Sequence, residues 1–170
     1  MPKNIVLMGY RGSGKTSVAA NIAKKLNWPV ISTDNEIVKR VGSINEFVSK
    51  NGWKAFRDIE SSVIAKINSG NTIVDCGGGF IEREENIAHL KQNGIIIWLK
   101  TSPQKIIERI KGGRDRPSLT GTKSFIDEVD EVLTRRLPLY SKAADHEVDS
   151  DNKTVEEVSK DILNLIKNEN

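Results

Sequence analysis

The chain has one cysteine, Cys76, among 170 residues. A single thiol rules out an internal disulfide framework and any zinc site built on cysteine pairs. Its neighbours read as a buried strand end, which suits an inert, packed thiol. Histidine is scarce too, with two residues. His89 falls in an amphipathic helical pattern and His146 beside a strand pattern. Nothing in the sequence pairs either with a metal or a nucleophile, so both read as structural. No apolar run approaches the ~20 residues needed to cross a bilayer. Neither sign of charge dominates: 26 Lys and Arg face 23 Asp and Glu, a net +3. So small an excess makes no case for nucleic acid, but it suits anionic small molecules. There is no internal repeat, low-complexity tract or linker. The length corresponds to a single domain, expected over 1–170. The first residues read as the approach to a strand rather than a secretion signal, so a cytoplasmic location is expected.

What the chain does have is Gly9-Tyr10-Arg11-Gly12-Ser13-Gly14-Lys15-Thr16. This fits G-x-x-x-x-G-K-[ST], the phosphate-binding P-loop. The run Asn4–Met8 before it is apolar and β-prone. Val18, Ala19, Ile22, Ala23 and Leu26 recur after it at helical spacing. Strand, glycine loop and helix are the parts a triphosphate needs. Glycines let successive backbone N–H groups turn inward, and the helix N-terminus adds partial positive charge. In such a loop Gly12, Ser13, Gly14, Lys15, Thr16 and Ser17 surround the phosphates. Lys15 reaches the β- and γ-phosphates, and the Thr16 hydroxyl ligates Mg²⁺.

Strand patterns cover 4–8, 29–32, 72–76, 95–99 and 145–149. Helical patterns cover 15–26, 34–41, 44–50, 53–69, 84–93, 103–111, 124–141 and 154–168. Ser43 with Glu46 and Thr154 with Glu157 form capping boxes, and Ser102-Pro103 opens a further helix. Alternation of this kind predicts a parallel sheet with helices on both faces, and ligands at the carboxyl ends of the strands. Those ends deliver the P-loop, then Ser32-Thr33-Asp34, then Asp75 to Gly79, then Lys100 to Ser102. Segment 112–123 is polar, basic and without apolar periodicity, which predicts a mobile loop.

Several of these residues have two readings. Asp34 either holds an acceptor hydroxyl and takes its proton, or simply favours a helix N-terminus. Gly77-Gly78-Gly79 either admits a ligand against the backbone or makes a flexible turn. Arg57 and Arg136 would suit a carboxylate through paired hydrogen bonds, although lone arginines are commonly solvated. Glu60 either orients Arg57 or is an exposed helical charge. Arg116 can close over ATP, with Arg114 and Lys15 competing for related roles.

Together these residues resemble the shikimate kinase family. The matching segments run in order across nearly the whole chain: Gly9–Thr16, Thr33–Ile37, Phe56–Glu60, Gly77–Gly79, Arg116–Leu119 and Arg136–Tyr140. The resemblance implies a nucleoside-monophosphate-kinase-like α/β fold, with a five-stranded parallel sheet, a substrate region near 33–61 and a lid near 112–123. It implies Mg²⁺- and ATP-dependent phosphorylation of the 3-hydroxyl of shikimate, on the route to chorismate and the aromatic amino acids. By the same resemblance Lys15, Asp34 and Arg116 are catalytic. Arg109, Arg116 and Lys153 join the P-loop in binding ATP. Asp34, Arg57, Gly77, Gly78, Gly79 and Arg136 bind the acceptor.

Two departures stand out. The family usually has an aspartate two positions before Asp34 that holds Mg²⁺ through water, and here Ser32 stands in its place. Asp75 is an unusual acid at the neighbouring strand end, and either Asp75 or Ser32 is a candidate for that water-mediated contact. The lid also reads Pro117-Ser118-Leu119 where a leucine pair is common. The alternatives are another small-molecule kinase, such as a gluconate-type kinase, or a non-enzymatic P-loop nucleotide module. Asp151-Asn152-Lys153-Thr154 lacks the aspartate of a guanine-reading motif, which speaks against a switch. No heptad seam or long apolar edge is present, so a monomer acting on ATP and shikimate is expected.

Overall fold

The computed structural model describes residues 3–111 and 118–168. Five apolar segments form strands: β1 (Asn4–Met8), β2 (Val30–Ser32), β3 (Ile73–Asp75), β4 (Gly94–Lys100) and β5 (His146–Asp149). All pair in parallel, in the order β2-β3-β1-β4-β5. This is the five-stranded parallel sheet expected from the alternation of patterns. The register sets Leu7 beside Asp75 and Asp75 beside Ser32, so the P-loop strand and both candidate acid positions end at one edge.

Because successive side chains leave a strand on opposite faces, each strand feeds two cores. Val6, Met8, Val74, Ile96 and Trp98 point into one apolar cluster with Phe80, Leu90, Ile106, Val132 and Tyr140. Ile5, Leu7, Ile73, Ile95, Ile97 and Leu99 point into the other, with Val18, Ile22, Val158 and Ile162. Helices α1 (Lys15–Leu26) and α7 (Val155–Lys167) cover the second face. The first is covered by α4 (Glu84–Gln92), α5 (Pro103–Ile110), α6 (Val129–Ala143) and a short 3₁₀ turn, Phe80–Glu82. In β4 every residue from Ile95 to Leu99 is buried, and each such side chain contributes about 1.5–3 kcal/mol.

The remaining helices, α2 (Thr33–Val41) and α3 (Ile44–Ile64), pack around Ile37, Val48, Phe56 and Val63. Sequence periodicity suggests two helices here, 44–50 and 53–69. The structure has both, running on from one another within Ile44–Ile64 and separated by a break at Gly52, whose φ of 81° and ψ of 169° are not helical. The second also ends sooner than expected. Lys66 and Ile67 bond back only three residues, to Val63 and Ile64, which closes the helix with tight turns. Helix α6 starts at Val129 rather than 124, because the preceding turn is used to place Glu128. The serine and threonine caps form, although only one of the two expected capping boxes is complete: Thr154 closes one with Glu157, whereas Ser43 accepts from Glu46 N without the reciprocal bond, and Ser102 accepts from Lys105 N.

Candidate active site

Helix α1 starts differently from α2, α3, α5 and α7, which have serine or threonine caps. Its N-cap is Gly14 at φ 92°, with no side-chain cap and no acidic residue in the first turn. A left-handed glycine turns the loop so that its N–H groups and the helix N-terminus stay available to an anion. Lys15 is buried, and its Nζ donates to Gly9 O at 2.9 Å and Tyr10 O at 3.1 Å, which ties the loop's two limbs together. In front of the loop lies a cleft of about 420 Å³ that includes Lys15, Thr16, Ser17, Ser32, Asp34 and Asp75. Its size and donor set suit a polyphosphate.

Ser32 and Asp75 divide the two duties that the sequence left open. The Ser32 hydroxyl accepts from Asn35 N and caps α2. Asp75 instead turns to the P-loop, where Thr16 Oγ1 donates to its Oδ2 at 2.7 Å. Spending the hydroxyl proton on Asp75 leaves the oxygen's lone pairs for a cation. Among the described residues no group of three His, Cys, Asp or Glu side chains is placed to hold a bare metal ion. That donor set fits Mg²⁺ carried on phosphates, which keeps waters and needs few protein ligands.

A second cleft, about 230 Å³, opens beside the first. Arg11, Asp34, Gly77 and Gly78 border both. Its remaining walls are Ile44, Asn45, Trp53, Phe56, Leu119 and a charged end made by Arg57, Glu60, Gly79 and Arg136. Asp34 stands in the first turn of α2, at the junction of the two clefts. Gly77 N donates to Thr33 Oγ1 at 3.0 Å, which holds the triple glycine against that helix start. Tyr140 donates to Gly78 O at 2.7 Å, and burial pushes its pKa up to about 12, so it remains a neutral donor.

The charged end brings together residues far apart in the chain. Arg57 is held by Glu60 at 2.7 Å, and its guanidinium lies 5.4 Å from the Trp53 ring and 5.2 Å from that of Phe56. Arg136 is 3% exposed. It sits 5.8 Å from the Tyr10 ring and donates from Nε and Nη2 to Glu82 Oε1. Glu60 is fully buried, so the exposed-charge reading fails, and Oε2 has no hydrogen-bond partner among the described residues. Burial pushes its carboxyl above the usual range; Arg57 opposes that shift, and Asp34 adds to it. A Cβ on Gly79 would overlap Arg57 Nη2, so only glycine lets both guanidinium groups close over this turn.

Other expected residues fall elsewhere. Arg109 reaches the P-loop region, donating to Gly12 O at 3.2 Å and Ser150 O at 3.1 Å. Lys153 does not join it. That side chain pairs with Asp161 at 2.8 Å and lines a separate hollow beside β5 and α7, because α7 supplies the nearer counter-charge. Arg116, like Arg114 and Pro117, lies outside the described residues, as does 112–117 of the expected lid. The end of that loop is pinned rather than loose. Glu128 accepts from Ser118 Oγ, from Leu119 N and from Thr120 N, all at 2.9 Å, and Trp53 Nε1 donates to Ser118 O. Sequence reasoning missed Glu82 and Glu128, for both look like solvated helix-end charges. It also missed Trp53 and Leu119 as cleft walls.

The arrangement matches known proteins along its length. The family model described as shikimate kinase covers residues 11–167. A shikimate kinase of Thermodesulfovibrio yellowstonii is 40% identical, over 95% of this chain and 93% of its own. One of Leptospira biflexa is 35% identical, over 96% and 95%. Among solved structures, a shikimate kinase of Acinetobacter baumannii in complex with shikimate superposes with a TM-score of 0.88. It is 26% identical and covers 99% of this chain and 95% of its own. The sheet order, the P-loop and the ordered motifs therefore have one source: the chain belongs to the shikimate kinase family, with the nucleoside-monophosphate-kinase-like P-loop fold.

Proposed function

We propose that this chain transfers the γ-phosphoryl group of ATP to the 3-hydroxyl of shikimate, and that the residues above carry the reaction. The observation that carries this reading is the position of Asp34, bordering both the phosphate cleft and the arginine-lined cleft. An acceptor whose carboxylate lies on Arg57 and Arg136 turns its ring toward the P-loop, with a hydroxyl at Asp34. The carboxylate oxygen of Asp34 accepts that hydroxyl's hydrogen bond and takes its proton as the oxygen bonds to phosphorus and ADP leaves. A loose phosphoryl-transfer transition state needs little base strength, so alignment is the larger contribution.

Lys15 and the N–H groups of the open α1 N-terminus face the charge on the β- and γ-phosphate oxygens. Thr16 directly, and Asp75 through water, would hold Mg²⁺, which would supply positive charge to neutralise the phosphates. The triple glycine lets the acceptor rest against backbone, and Trp53, Phe56 and Leu119 exclude water from its ring. Arg109 serves the nucleotide side, and Arg116 is proposed to meet the transferring group from the lid.

A cytoplasmic monomer is the setting we infer. No described helix is long and apolar enough to cross a membrane. The exposed large apolar residues, Val30, Val38, Leu137 and Val155, are scattered over separate elements rather than forming a seam. The test is ATP consumption with shikimate, gluconate and nucleoside monophosphates as acceptors, with the product identified by mass and phosphorus NMR. Shikimate 3-phosphate formed with shikimate alone is the expected result. Turnover with gluconate or a nucleotide, or ATP consumption indifferent to shikimate, overturns the assignment.

A further inference from the structure

Glu82 stands three residues beyond the triple glycine, at the end of the 3₁₀ turn. Its carboxylate meets three guanidinium groups. Oε1 accepts from Arg136 Nε at 3.2 Å, Arg136 Nη2 at 3.1 Å and Arg135 Nη2 at 3.3 Å, and Oε2 lies 3.6 Å from Arg57 Nε. Glu82 does not line the acceptor cleft. It lies in a hollow on the far side of the same two arginines, which therefore form a wall with Glu82 behind it.

We propose that Glu82 is a positioning and specificity-determining residue for the acceptor acid. It binds the Nε and Nη2 edge of Arg136 and approaches Nε of Arg57, whose Nη1 is taken by Glu60, so Arg136 Nη1 and Arg57 Nη2 are left for a carboxylate entering from the cleft. A guanidinium has two usable edges, and a carboxylate on one fixes the plane of the other. Arg57 has Glu60 as a second anchor at 2.7 Å, whereas Glu82 is the one acid within ion-pair distance of nearly buried Arg136 among the described residues. Without Glu82, Arg136 loses the fork that sets its plane and a buried positive charge loses its counter-ion. The effect falls on recognition of an acid rather than on the phosphate cleft, since the bonds and ion pairs of Glu82 run to Arg57, Arg135 and Arg136.

This inference rests on the proposed acceptor, and the experiment separates the two. Binding of shikimate, of its uncharged methyl ester and of Mg-ADP is measured by calorimetry for the wild type and for Glu82→Gln, with steady-state kinetics alongside. Glutamine keeps the shape and one acceptor oxygen but removes the charge. The expected result is a shikimate Kd and KM raised about tenfold. The methyl ester and Mg-ADP should bind as before, and kcat should change by less than about twofold. Unchanged or tighter shikimate binding by Glu82→Gln overturns the proposal and leaves the kinase assignment standing. Equal weakening of shikimate and its ester also overturns it, since that marks a merely structural role. A wild type that does not bind shikimate removes both readings.

Discussion

The Thr16 hydroxyl and the Asp75 carboxylate meet at 2.7 Å, linking the first turn of α1 to the end of β3. Asp75 is the register partner of Ser32 on the adjacent strand. On the proposed reading, Asp75 supplies from the end of β3, facing the P-loop, the acid that Ser32 at the end of β2 does not. Asp75→Asn should raise the Mg²⁺ concentration for half-maximal rate several-fold and weaken the Mg²⁺ enhancement of ADP binding, read by calorimetry. Ser32→Asp added to it should recover part of the loss. Mg²⁺ titrations of Asp75→Asn that overlay the wild type would reject the assignment.

Lys15→Ala should lower kcat about 10²–10³-fold, because its charge faces the phosphate oxygens that become more negative during transfer. The fold should survive. The bonds lost, to Gly9 O, Tyr10 O and Ser13 Oγ, lie within the loop and cost about 1–2 kcal/mol each. Circular dichroism and turnover at saturating Mg-ATP check both halves, and near-normal turnover removes the lysine from catalysis.

Arg136→Lys should weaken shikimate binding by about tenfold or more while ATP binding stays within about twofold. Lysine preserves the charge but has neither the planar fork nor the reach to use Glu82 and a substrate carboxylate together. Equal losses for both ligands would place Arg136 outside the acceptor site.

Glu128 makes a pH prediction. Burial raises its pKa, but the N–H groups of Leu119 and Thr120 and the hydroxyls of Ser118 and Thr120 outweigh that and hold it below its ordinary 4.5. A carboxyl with a depressed folded pKa stabilises the fold above its unfolded value, and that contribution is lost as pH falls through the folded one. Wild type should therefore melt higher than Glu128→Gln at about pH 7, with the gap closing below about pH 4.5. A gap that is constant through the acid range would mean that the charge contributes nothing.

Local chemistry was readable in advance. A phosphate cradle requires glycine, lysine and threonine at fixed spacing, so Gly9–Thr16 announces itself, as do the serine cap at Ser43 and the capping box at Thr154. Helix ends were less legible, because the tight turns after Ile64 satisfy backbone groups as well as another helical turn would. The partner of Lys153 was not legible, because its counter-charge, Asp161, sits on the following helix, a contact that motif matching does not consider. Glu82 and Glu128 were invisible for a different reason. Each looks like an ordinary surface acid until the fold brings Arg136 to one and the Leu119 backbone to the other. Ionic partners more than fifty residues apart, such as Glu82 and Arg136, leave no periodic trace.

Gly79, Arg57 and Arg136 come from three separate segments, yet a methyl group on the glycine would overlap Arg57 Nη2 and stand 2.8 Å from Arg136 Nη2. The constraint runs one way. Either arginine can change while the glycine stays, because glycine crowds no neighbour, but a larger residue at Gly79 forces the Arg57 guanidinium to shift and crowds that of Arg136. Gly79 is therefore the position at which a single substitution reaches both arginines, whereas Ile44, Asn45, Phe56 and Leu119 line the same cleft outside that contact.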